Sequence, residues 1–297
     1  MKWSLQNSSK SQIIISNISC YGLAIDRNGA IYVSDSEYCA VKRWMDEKSN
    51  GTLVAGGNGC GKGLNQLENP TYLAIGQDYS IYVSDKNNNR VMKWMKNATE
   101  GIIVAGGNGH GDHVEQLFFL EWTIDRNGAI YVSDSEYCAV KRWMDEKSNG
   151  TLVAGGNGCG KGLNQLENPT YLAIGQDYSI YVSDKNNNRV MKWMKNATEG
   201  IIVAGGNGHG DHVEQLFFQS GVAIDHSNNL YVADEFNHRV VCWPEKSKNP
   251  WIVVGGYGNG RSSHTLYGPD GIAFDGEGNL YVVDNENDRV QKFVVEN

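Results

Sequence analysis

Six aspartates, each at the end of a similar apolar segment, are the most regular ionisable side chains in the sequence. They are Asp35, Asp85, Asp134, Asp184, Asp234 and Asp284, and an arginine stands five residues after four of them: Arg90, Arg189, Arg239 and Arg289. A ring of carboxylates could hold a metal ion or act in acid–base chemistry. Catalytic carboxylates, however, need different environments that separate their pKa values. The six aspartates recur in similar sequence surroundings. The pattern therefore favours a structural role.

Two loop segments could bind a phosphate or a metal. Residues 56–63 approach a nucleotide-binding loop, but Gly63 stands where Ser or Thr should hold magnesium, and no helical pattern follows. His110 and His113, with copies at His209 and His212, could supply metal ligands from one loop. The equivalent loops of the other repeats carry no matching histidines, so the repeats would not bring a set of metal ligands together. We predict neither a metal site nor a cofactor.

The cysteines carry a more specific signal. Cys39 begins the third apolar segment of its repeat and Cys60 follows the fourth, so antiparallel strands would bring them to one end. The repeats that lack one also lack the other, and the pair recurs as Cys138 and Cys159. We consider two disulfides, Cys39–Cys60 and Cys138–Cys159, with free thiols as the open alternative. Disulfides would favour an extracellular location, although no signal peptide is visible and the compartment is otherwise undetermined.

These side chains must be positioned by a repeated unit about fifty residues long. A Tyr-Val-x-Asp segment recurs at Tyr32, Tyr82, Tyr131, Tyr181, Tyr231 and Tyr281, at intervals of 50, 49, 50, 50 and 50 residues. Each unit contains four short segments rich in Val, Ile, Tyr and Trp, bounded by Gly, Asn and Asp, which predicts four strands. Repeated four-stranded units of this length are typical of propeller blades.

The sequence therefore predicts an all-β, six-bladed β-propeller of four-stranded antiparallel blades. The final unit lacks a fourth strand, and residues 12–16 can supply it, so that the N-terminal strand closes the last blade. We expect one domain over residues 1–297. Its blades are predicted near 22–71, 72–121, 122–170, 171–220 and 221–270, with 271–297 plus 12–16 as the sixth.

An internal duplication underlies the repeats. Residues 25–119 recur without a change as residues 124–218, at an offset of 99 residues, which equals two blades. A copy out of phase with the blades would have disrupted strand pairing. Function is not expected to depend on the copies, because opposite sides of the ring would carry identical loops. The sequence does not show whether the duplication is natural or whether the chain is part of a longer protein.

The last unit resembles a known repeat family. The runs 269–275, 278–284 and 287–293 are similar to an NHL repeat almost without a gap, and the resemblance extends more weakly to all six units. It is weakest in the first and third, where Ala40 and Ala139 replace the arginine. The resemblance implies a six-bladed propeller and identifies the Asp–Arg pairs as part of the repeat signature.

Composition excludes some classes of partner. The net charge of −8 disfavours nucleic acid and anionic lipid surfaces, and no apolar stretch is long enough for a membrane helix. We predict a non-catalytic, monomeric scaffold that binds a protein or another ligand through the loops on one face, although the sequence leaves enzymatic activity open and does not identify the partner. The candidate binding residues are Glu37, Tyr38, Asn87, Asn88, His110, His113, Phe236 and Asn237.

Two alternatives remain. Some propellers similar to NHL proteins are lyases or metal-dependent lactonases with a metal in the central channel, but the predicted inner strands are apolar at residues 23–25, 73–75 and 222–224. The NHL domains of tripartite-motif proteins bind RNA, which requires a basic, aromatic face. The acidic net charge and the asparagine-rich loops argue against that function.

Overall fold

Six four-stranded antiparallel sheets make up the protein, which is described here by a computed structural model. The structure describes residues 11–45, 50–107, 120–144, 150–247 and 249–294. In these sheets β-branched and aromatic residues alternate between polar turns, as a half-buried strand requires. Each sheet is one blade, and its first strand contacts the first strands of both neighbouring blades. These inner strands therefore form a closed ring around a central channel.

The strands fall into four sets by their position in the blade. The inner strands are β2 (Cys20–Ile25), β6 (Pro70–Ile75), β10 (Leu120–Ile124), β14 (Pro169–Ile174), β18 (Val222–Ile224) and β22 (Pro269–Phe274). The second strands are β3 (Ile31–Asp35), β7 (Ile81–Asp85), β11 (Ile130–Asp134), β15 (Ile180–Asp184), β19 (Leu230–Asp234) and β23 (Leu280–Asp284). Blades 1 to 6 are numbered in this order.

The two remaining sets lie towards the rim. The third strands are β4 (Ala40–Trp44), β8 (Arg90–Trp94), β12 (Ala139–Trp143), β16 (Arg189–Trp193), β20 (Arg239–Trp243) and β24 (Arg289–Phe293). The outer strands are β5 (Thr52–Gly56), β9 (Ile102–Gly106), β13 (Thr151–Gly155), β17 (Ile201–Gly205), β21 (Trp251–Gly255) and, in blade 6, β1 (Ser11–Ser16). Short 3₁₀ helices join the second and third strands of four blades at Lys86–Asn88, Lys185–Asn187, Glu235–Asn237 and Asn285–Asn287. In the described part of the chain, no helix is long and apolar enough to span a membrane.

The hydrophobic core lies within and between the blades. Every residue of the second strands is buried, and the central valine, such as Val33 or Val282, has no exposed surface. Clusters of buried side chains join adjacent blades; one of them contains Val33 of blade 1 together with Val283 of blade 6. Burial of this apolar surface between the sheets stabilises the ring as one unit.

The ring closes through the N-terminal strand, as the sequence predicts. Strand β1 pairs antiparallel with β24, with Ser11 opposite Phe293 and Ser16 opposite Arg289. Because the pairing shifts between Ile13 and Ile15, Ile14 and Ile15 are buried while Ile13 is 43% exposed. Strands from the two ends of the chain thus share one blade, which covers an edge that would otherwise be open.

We expect the substitution Ile15→Ala to lower the free energy of unfolding by about 2–5 kcal/mol, because it leaves a cavity beneath the closing strand. The matched substitution Ile13→Ala removes an exposed side chain and should change it by no more than about 0.5 kcal/mol. Urea unfolding followed by circular dichroism measures both values. Equal effects of the two substitutions would contradict the closure through β1.

Candidate functional site

The turns between second and third strands and the connections between blades emerge at the same end of the disc. We call this end the loop face. The inner strands begin at this face, since Pro70 of β6 pairs with Asp85 at the end of β7. Residues early in each inner strand therefore line the mouth of the channel at the loop face, and residues late in the strand line its other end.

The repeat aspartates and arginines hold the connections between blades in place. In blade 2, Nε of Arg90 donates to Oδ2 of Asp85 at 2.6 Å, and both side chains are buried. The other guanidinium nitrogens donate to the carbonyl oxygens of Lys62 and Gly63, both at 3.0 Å. The backbone amide of Glu68 donates to Oδ1 of Asp85 at 2.7 Å. One ion pair thus anchors the whole connection from blade 1.

The same arrangement recurs in three more blades. Nε of the arginine lies 2.6–2.7 Å from the carboxylate in the pairs Asp184–Arg189, Asp234–Arg239 and Asp284–Arg289. In each of these blades the arginine also donates to carbonyl groups of the preceding connection, at 2.6–3.3 Å. Each of these carboxylates binds its arginine, and the pair positions the backbone of a connection between blades. The carboxylates are therefore occupied and do not offer themselves as metal ligands.

Blades 1 and 3, which lack the arginine, use other ties. Nζ of Lys42 lies 2.7 Å from Oδ2 of Asp35, and Nζ of Lys141 lies 2.9 Å from Oδ2 of Asp134. These two blades also carry the disulfides: the structure bonds Cys39 to Cys60 and Cys138 to Cys159, with Cα atoms 5.3 and 5.2 Å apart. The remaining cysteines, Cys20 and Cys242, are free and buried. Each bond ties the start of a third strand to the loop after the outer strand.

The substitution Arg189→Ala should lower the free energy of unfolding by about 3–5 kcal/mol, because it leaves the buried Asp184 carboxylate without its partner. Lys161 is the matched control: its carbonyl accepts from Arg189, but its side chain is exposed. Lys161→Ala should therefore change stability by no more than about 0.5 kcal/mol. Chemical unfolding measures both, and a near-neutral Arg189→Ala variant would refute the anchoring role.

The candidate binding residues differ in what they offer to a partner. Tyr38 is 62% exposed, with Nζ of Lys42 at 4.5 Å from its ring centre, and Glu37 and Asn87 are also exposed. Asn88 and Asn237 instead use their amide groups internally. Nδ2 of each donates to the repeat aspartate and to a glycine carbonyl, Gly61 or Gly210 respectively. His110 and His113 lie outside the described residues.

Phe236, another of the candidates, belongs to an aromatic cluster beside the channel. Its ring stacks on Phe218, with ring centres 5.1 Å apart and planes at 17°, and both rings meet Phe217 edge to face. Phe236 is 50% and Phe218 36% exposed. Phe218 adopts φ +52°, where the equivalent positions hold Asn69, Asn168 and Gly268. A bulky residue is strained there. We call Phe217, Phe218 and Phe236 the aromatic platform.

Two tyrosines fill the channel below its mouth. Tyr72 of blade 2 and Tyr171 of blade 4 belong to blades that are not adjacent, yet their ring centres are 5.5 Å apart. Tyr72 also meets Trp122 of blade 3 edge to face at 5.7 Å. The Tyr171 hydroxyl donates to the carbonyl of Tyr21 in the opposite blade at 3.4 Å. Aromatic rings therefore meet across the channel near its mouth.

Two carboxyl groups occupy the mouth, from blades on opposite sides of the ring. Glu121 is the second residue of the inner strand of blade 3, and Asp270 is the second residue of that of blade 6. Oε2 of Glu121 is buried without a hydrogen-bond partner. At the rim, Nζ of Lys185 lies 2.7 Å from Oε2 of Glu235, and 5.9 Å from the ring centre of Phe218. Lys185 thus lies beside the aromatic platform.

Burial perturbs both carboxyl groups. It raises the pKa of Glu121 to about 8; the negative charge of Asp270 raises it further, and Lys86 and Lys185 oppose the shift. The pKa of Asp270 rises to about 6, through burial and then through Glu235, while Lys185 and the hydroxyl groups of Tyr171 and Ser220 lower it. Glu121 therefore holds its proton to a higher pH than Asp270 does. Carboxyl groups with separated pKa values are typical of functional sites.

Sequence reasoning missed this pair. It noted the apolar triplets 23–25 and 73–75, the far halves of β2 and β6, and 222–224, the whole of β18, and it overlooked the residues nearer the loop face. A signal was present at the duplication. Residues 120–123, Leu-Glu-Trp-Thr, separate the two copies, and all four lie on β10. The break in the copy coincides with the residues that make the channel asymmetric.

The opposite end of the channel offers less. A cavity of about 620 Å³ lies there between blades 1, 5 and 6, with apolar walls that include Ile25, Ile224 and Phe274. The carboxylates at this end accept hydrogen bonds within their own turns. Asp225, for example, accepts from the backbone amides of Ser227 and Asn229, both at 2.8 Å. The loop face therefore holds the better candidate site.

A resident metal does not fit the described residues. Within the described ranges, no three His, Cys, Asp or Glu side chains come together as a metal-binding group. Glu121 and Asp270 supply only two carboxyl groups, and Glu121 is the one with the pKa that favours the protonated form. Metal ligands must be deprotonated. No catalytic step through a bound metal is therefore derived from this site.

Comparison with known families identifies the repeat. The family model described as NHL repeat matches residues 266–293, which contain the whole of β22, β23 and β24. The protein is a six-bladed β-propeller whose last blade carries an NHL repeat, and we call it the NHL propeller for brevity. No curated protein sequence matches this NHL propeller significantly.

Solved structures share the fold of the NHL propeller at low sequence identity. A protein of unknown function from Bacteroides thetaiotaomicron has a TM-score of 0.71 at 17% identity, over 97% of this chain and 74% of that one. A gluconolactonase from Xanthomonas campestris has a TM-score of 0.71 at 12% identity, over 96% and 89%. A virginiamycin B lyase from Staphylococcus aureus has a TM-score of 0.57 at 13% identity, over 97% and 99%. Likeness at these identities establishes the fold alone.

The raised pKa of Glu121 predicts a pH dependence of stability. The folded-state value of about 8 exceeds the ordinary value of 4.5, so the native NHL propeller binds the extra proton between these limits. The contribution of Glu121 to the free energy of unfolding is fully present below pH 4.5 and is lost as the pH rises through 8. The free energy of unfolding falls by at most about 1.4 kcal/mol per pH unit. Glu121→Gln should flatten this slope, measured by urea unfolding at pH 5 to 9.

The control for this measurement is Glu199→Gln, which makes the same change at an exposed position in blade 4. Its slope between pH 5 and pH 9 should match that of the wild type. A Glu121→Gln variant with an unchanged slope would show that Glu121 is ionised across this range.

Proposed function

We propose that this NHL propeller is a non-catalytic scaffold that acts as a monomer and binds a protein segment or another ligand at the channel mouth on its loop face. The observation that carries the proposal is the buried Oε2 of Glu121, which has no hydrogen-bond partner within the protein. Leaving such an atom unpaired costs free energy, and buried polar groups in native proteins are nearly always paired. A ligand that donates to Glu121 would supply the missing partner.

The surroundings of Glu121 suit a binding site. The rings of Tyr72 and Tyr171 meet in the channel at the same level of the inner strands as Glu121, so a ligand at Glu121 would also contact aromatic surface. The ring of blades, anchored by the Asp–Arg pairs, holds these groups on rigid strands rather than on mobile loops. Concave sites with a mainly apolar lining and a few convergent polar groups are typical of ligand pockets.

Among the described residues, the mouth favours binding over catalysis. The groups that act on the two carboxyls are tyrosine, serine, lysine and glutamate, and they include no histidine. Lys185 is already paired with Glu235, which keeps it from serving as a nucleophile. The carboxyl groups thus have donors and charges around them but no poised nucleophile.

A second candidate is an enzyme that cleaves a lactone or a related ring. It is favoured by one observation, the two carboxyl groups with separated pKa values, which could act as acid and base. Two neighbours in fold are described as a gluconolactonase and a virginiamycin B lyase. Hydrolysis of glucono-δ-lactone that is lost in Glu121→Gln would favour this candidate over the scaffold.

A fragment screen tests the binding proposal. Ligand-observed NMR with a library of acids, amines and neutral compounds should give hits on the wild type that disappear in the double variant Glu121→Gln/Asp270→Asn. The Glu199→Gln variant should retain them. Hits that persist unchanged in the double variant would place binding away from the channel mouth and refute the proposal.

A further inference from the structure

We propose that the ligand is an amine: its ammonium group lies between Glu121 and Asp270, and an apolar group attached to it packs on the aromatic platform. This inference rests on the function proposed above and names its class of ligand. It follows from three features of the mouth, namely its charge, its aromatic groups and the link between them.

The charge at the mouth favours a cation. Glu121, Asp270 and Glu235 face two lysines, Lys86 and Lys185, whose charges act on the carboxyl groups. Lys185 is already neutralised by Glu235 at 2.7 Å. An anionic ligand would meet the negative charge of Asp270 and could not draw the proton from Glu121, and like charges in a buried site are costly. An ammonium group instead brings three donors, one of which can satisfy the unpartnered Oε2 of Glu121.

Aromatic rings add to this preference for an ammonium group. Tyr72 and Tyr171 lie in the channel with their ring centres 5.5 Å apart, and the charges of Glu121 and Asp270 act on the hydroxyl of Tyr171. The electron-rich face of an aromatic ring attracts a cation, by about 0.5–2 kcal/mol depending on how far the cation is desolvated. A neutral ligand would gain from neither the rings nor the carboxyl groups.

The aromatic platform accounts for the apolar part of the ligand. The stacked rings of Phe218 and Phe236 expose apolar surface beside the mouth, and Phe218 holds its ring there in a strained backbone conformation. The equivalent asparagines and glycine avoid that strain. Strain at an exposed aromatic residue is commonly retained for function, since it contributes nothing to the core.

One side chain spans the two halves of this site. The Nζ atom of Lys185 lies 5.9 Å from the ring centre of Phe218, and the charge of Lys185 lowers the pKa of both Glu121 and Asp270. The carbonyl of Asp270 also accepts from the amide of Gly221 at 3.2 Å, three residues after Phe218, so the platform lies beside the Asp270 end of the carboxyl pair. A ligand with a short linker between its amine and its apolar group can touch both.

Binding of the amine is coupled to the proton on Glu121. The groups that face the two carboxyls are Lys86, Lys185, Glu235, Tyr72 and Tyr171. A cation between the carboxyl groups stabilises the ionised form of Glu121, which then releases its proton to solvent. The affinity for the amine should therefore rise from pH 6 to pH 8, as long as the amine itself stays protonated.

Isothermal titration calorimetry on the full chain tests the inference, with 2-phenylethylamine as the probe. The comparison compounds are ethylamine, which lacks the ring, 2-phenylethanol, which lacks the charge, and 3-phenylpropanoate, which reverses it. 2-Phenylethylamine should bind most tightly, and Glu121→Gln/Asp270→Asn should weaken it about 10-fold or more. Phe236→Ala should weaken 2-phenylethylamine several-fold and leave ethylamine unchanged. Titrations in two buffers of unlike ionisation enthalpy should show proton release.

Two controls accompany these variants. Glu199→Gln repeats the loss of a carboxylate at an exposed position, and Tyr257→Ala removes an aromatic side chain that is 69% exposed away from the platform. Both should bind 2-phenylethylamine as the wild type does. Circular dichroism shows whether each variant is folded, and a wild-type protein that binds no amine would by itself overturn the inference.

The outcomes separate this inference from the proposed function. Tighter binding of 2-phenylethanol, 3-phenylpropanoate or calcium chloride than of 2-phenylethylamine, lost in the double variant, would overturn the amine and leave a ligand site at the mouth. Binding of 2-phenylethylamine that the double variant retains would overturn the inference, and fragment hits that also persist would overturn the proposed function.

Discussion

The buried pairing of an aspartate with an arginine is the interaction on which the geometry of the ring depends. In four blades the aspartate ends the second strand and the arginine begins the third, and together they bind the backbone of the connection from the preceding blade. Alone, either charge would be costly to bury. The pair is stable because the guanidinium satisfies carbonyl groups in a connection that has few backbone bonds of its own. Blade position is thereby fixed at the loop face, where the site lies.

Blades 1 and 3 show that the anchoring of the loops at this face matters more than the residue type that provides it. A lysine two positions beyond Ala40 and Ala139 reaches the aspartate, and a disulfide fixes the loop that follows the outer strand. The duplicated block carries one blade of each kind, so it copies two complete ways of anchoring a loop. Because each blade contacts only its neighbours, a whole number of blades can be copied without altering the packing inside any of them.

The asymmetry of the NHL propeller lies at its centre. The copied residues give blades 2 and 4 the same tyrosine, and Tyr72 and Tyr171 meet in the channel. The carboxyl groups come from residues outside the copied block: Glu121 lies between the copies and Asp270 lies after them. The aromatic platform combines both sources, since Phe218 ends the second copy and Phe236 follows it. Repetition thus builds the rigid ring, and the unrepeated residues make the chemistry of its mouth asymmetric.

The sequence by itself determined the fold. The fifty-residue period, the four apolar segments per repeat and the missing last strand predict six blades closed by the N-terminal strand, because these features are local or repeated. It also placed Phe236 on the loop face. Tertiary structure alone decided which side chains meet at the centre of the ring. Glu121 and Asp270 are 149 residues apart, in strands that do not pair, and their meeting depends on the curvature of the closed ring. The same curvature buries Glu121 without a partner, and no local pattern of residues encodes that.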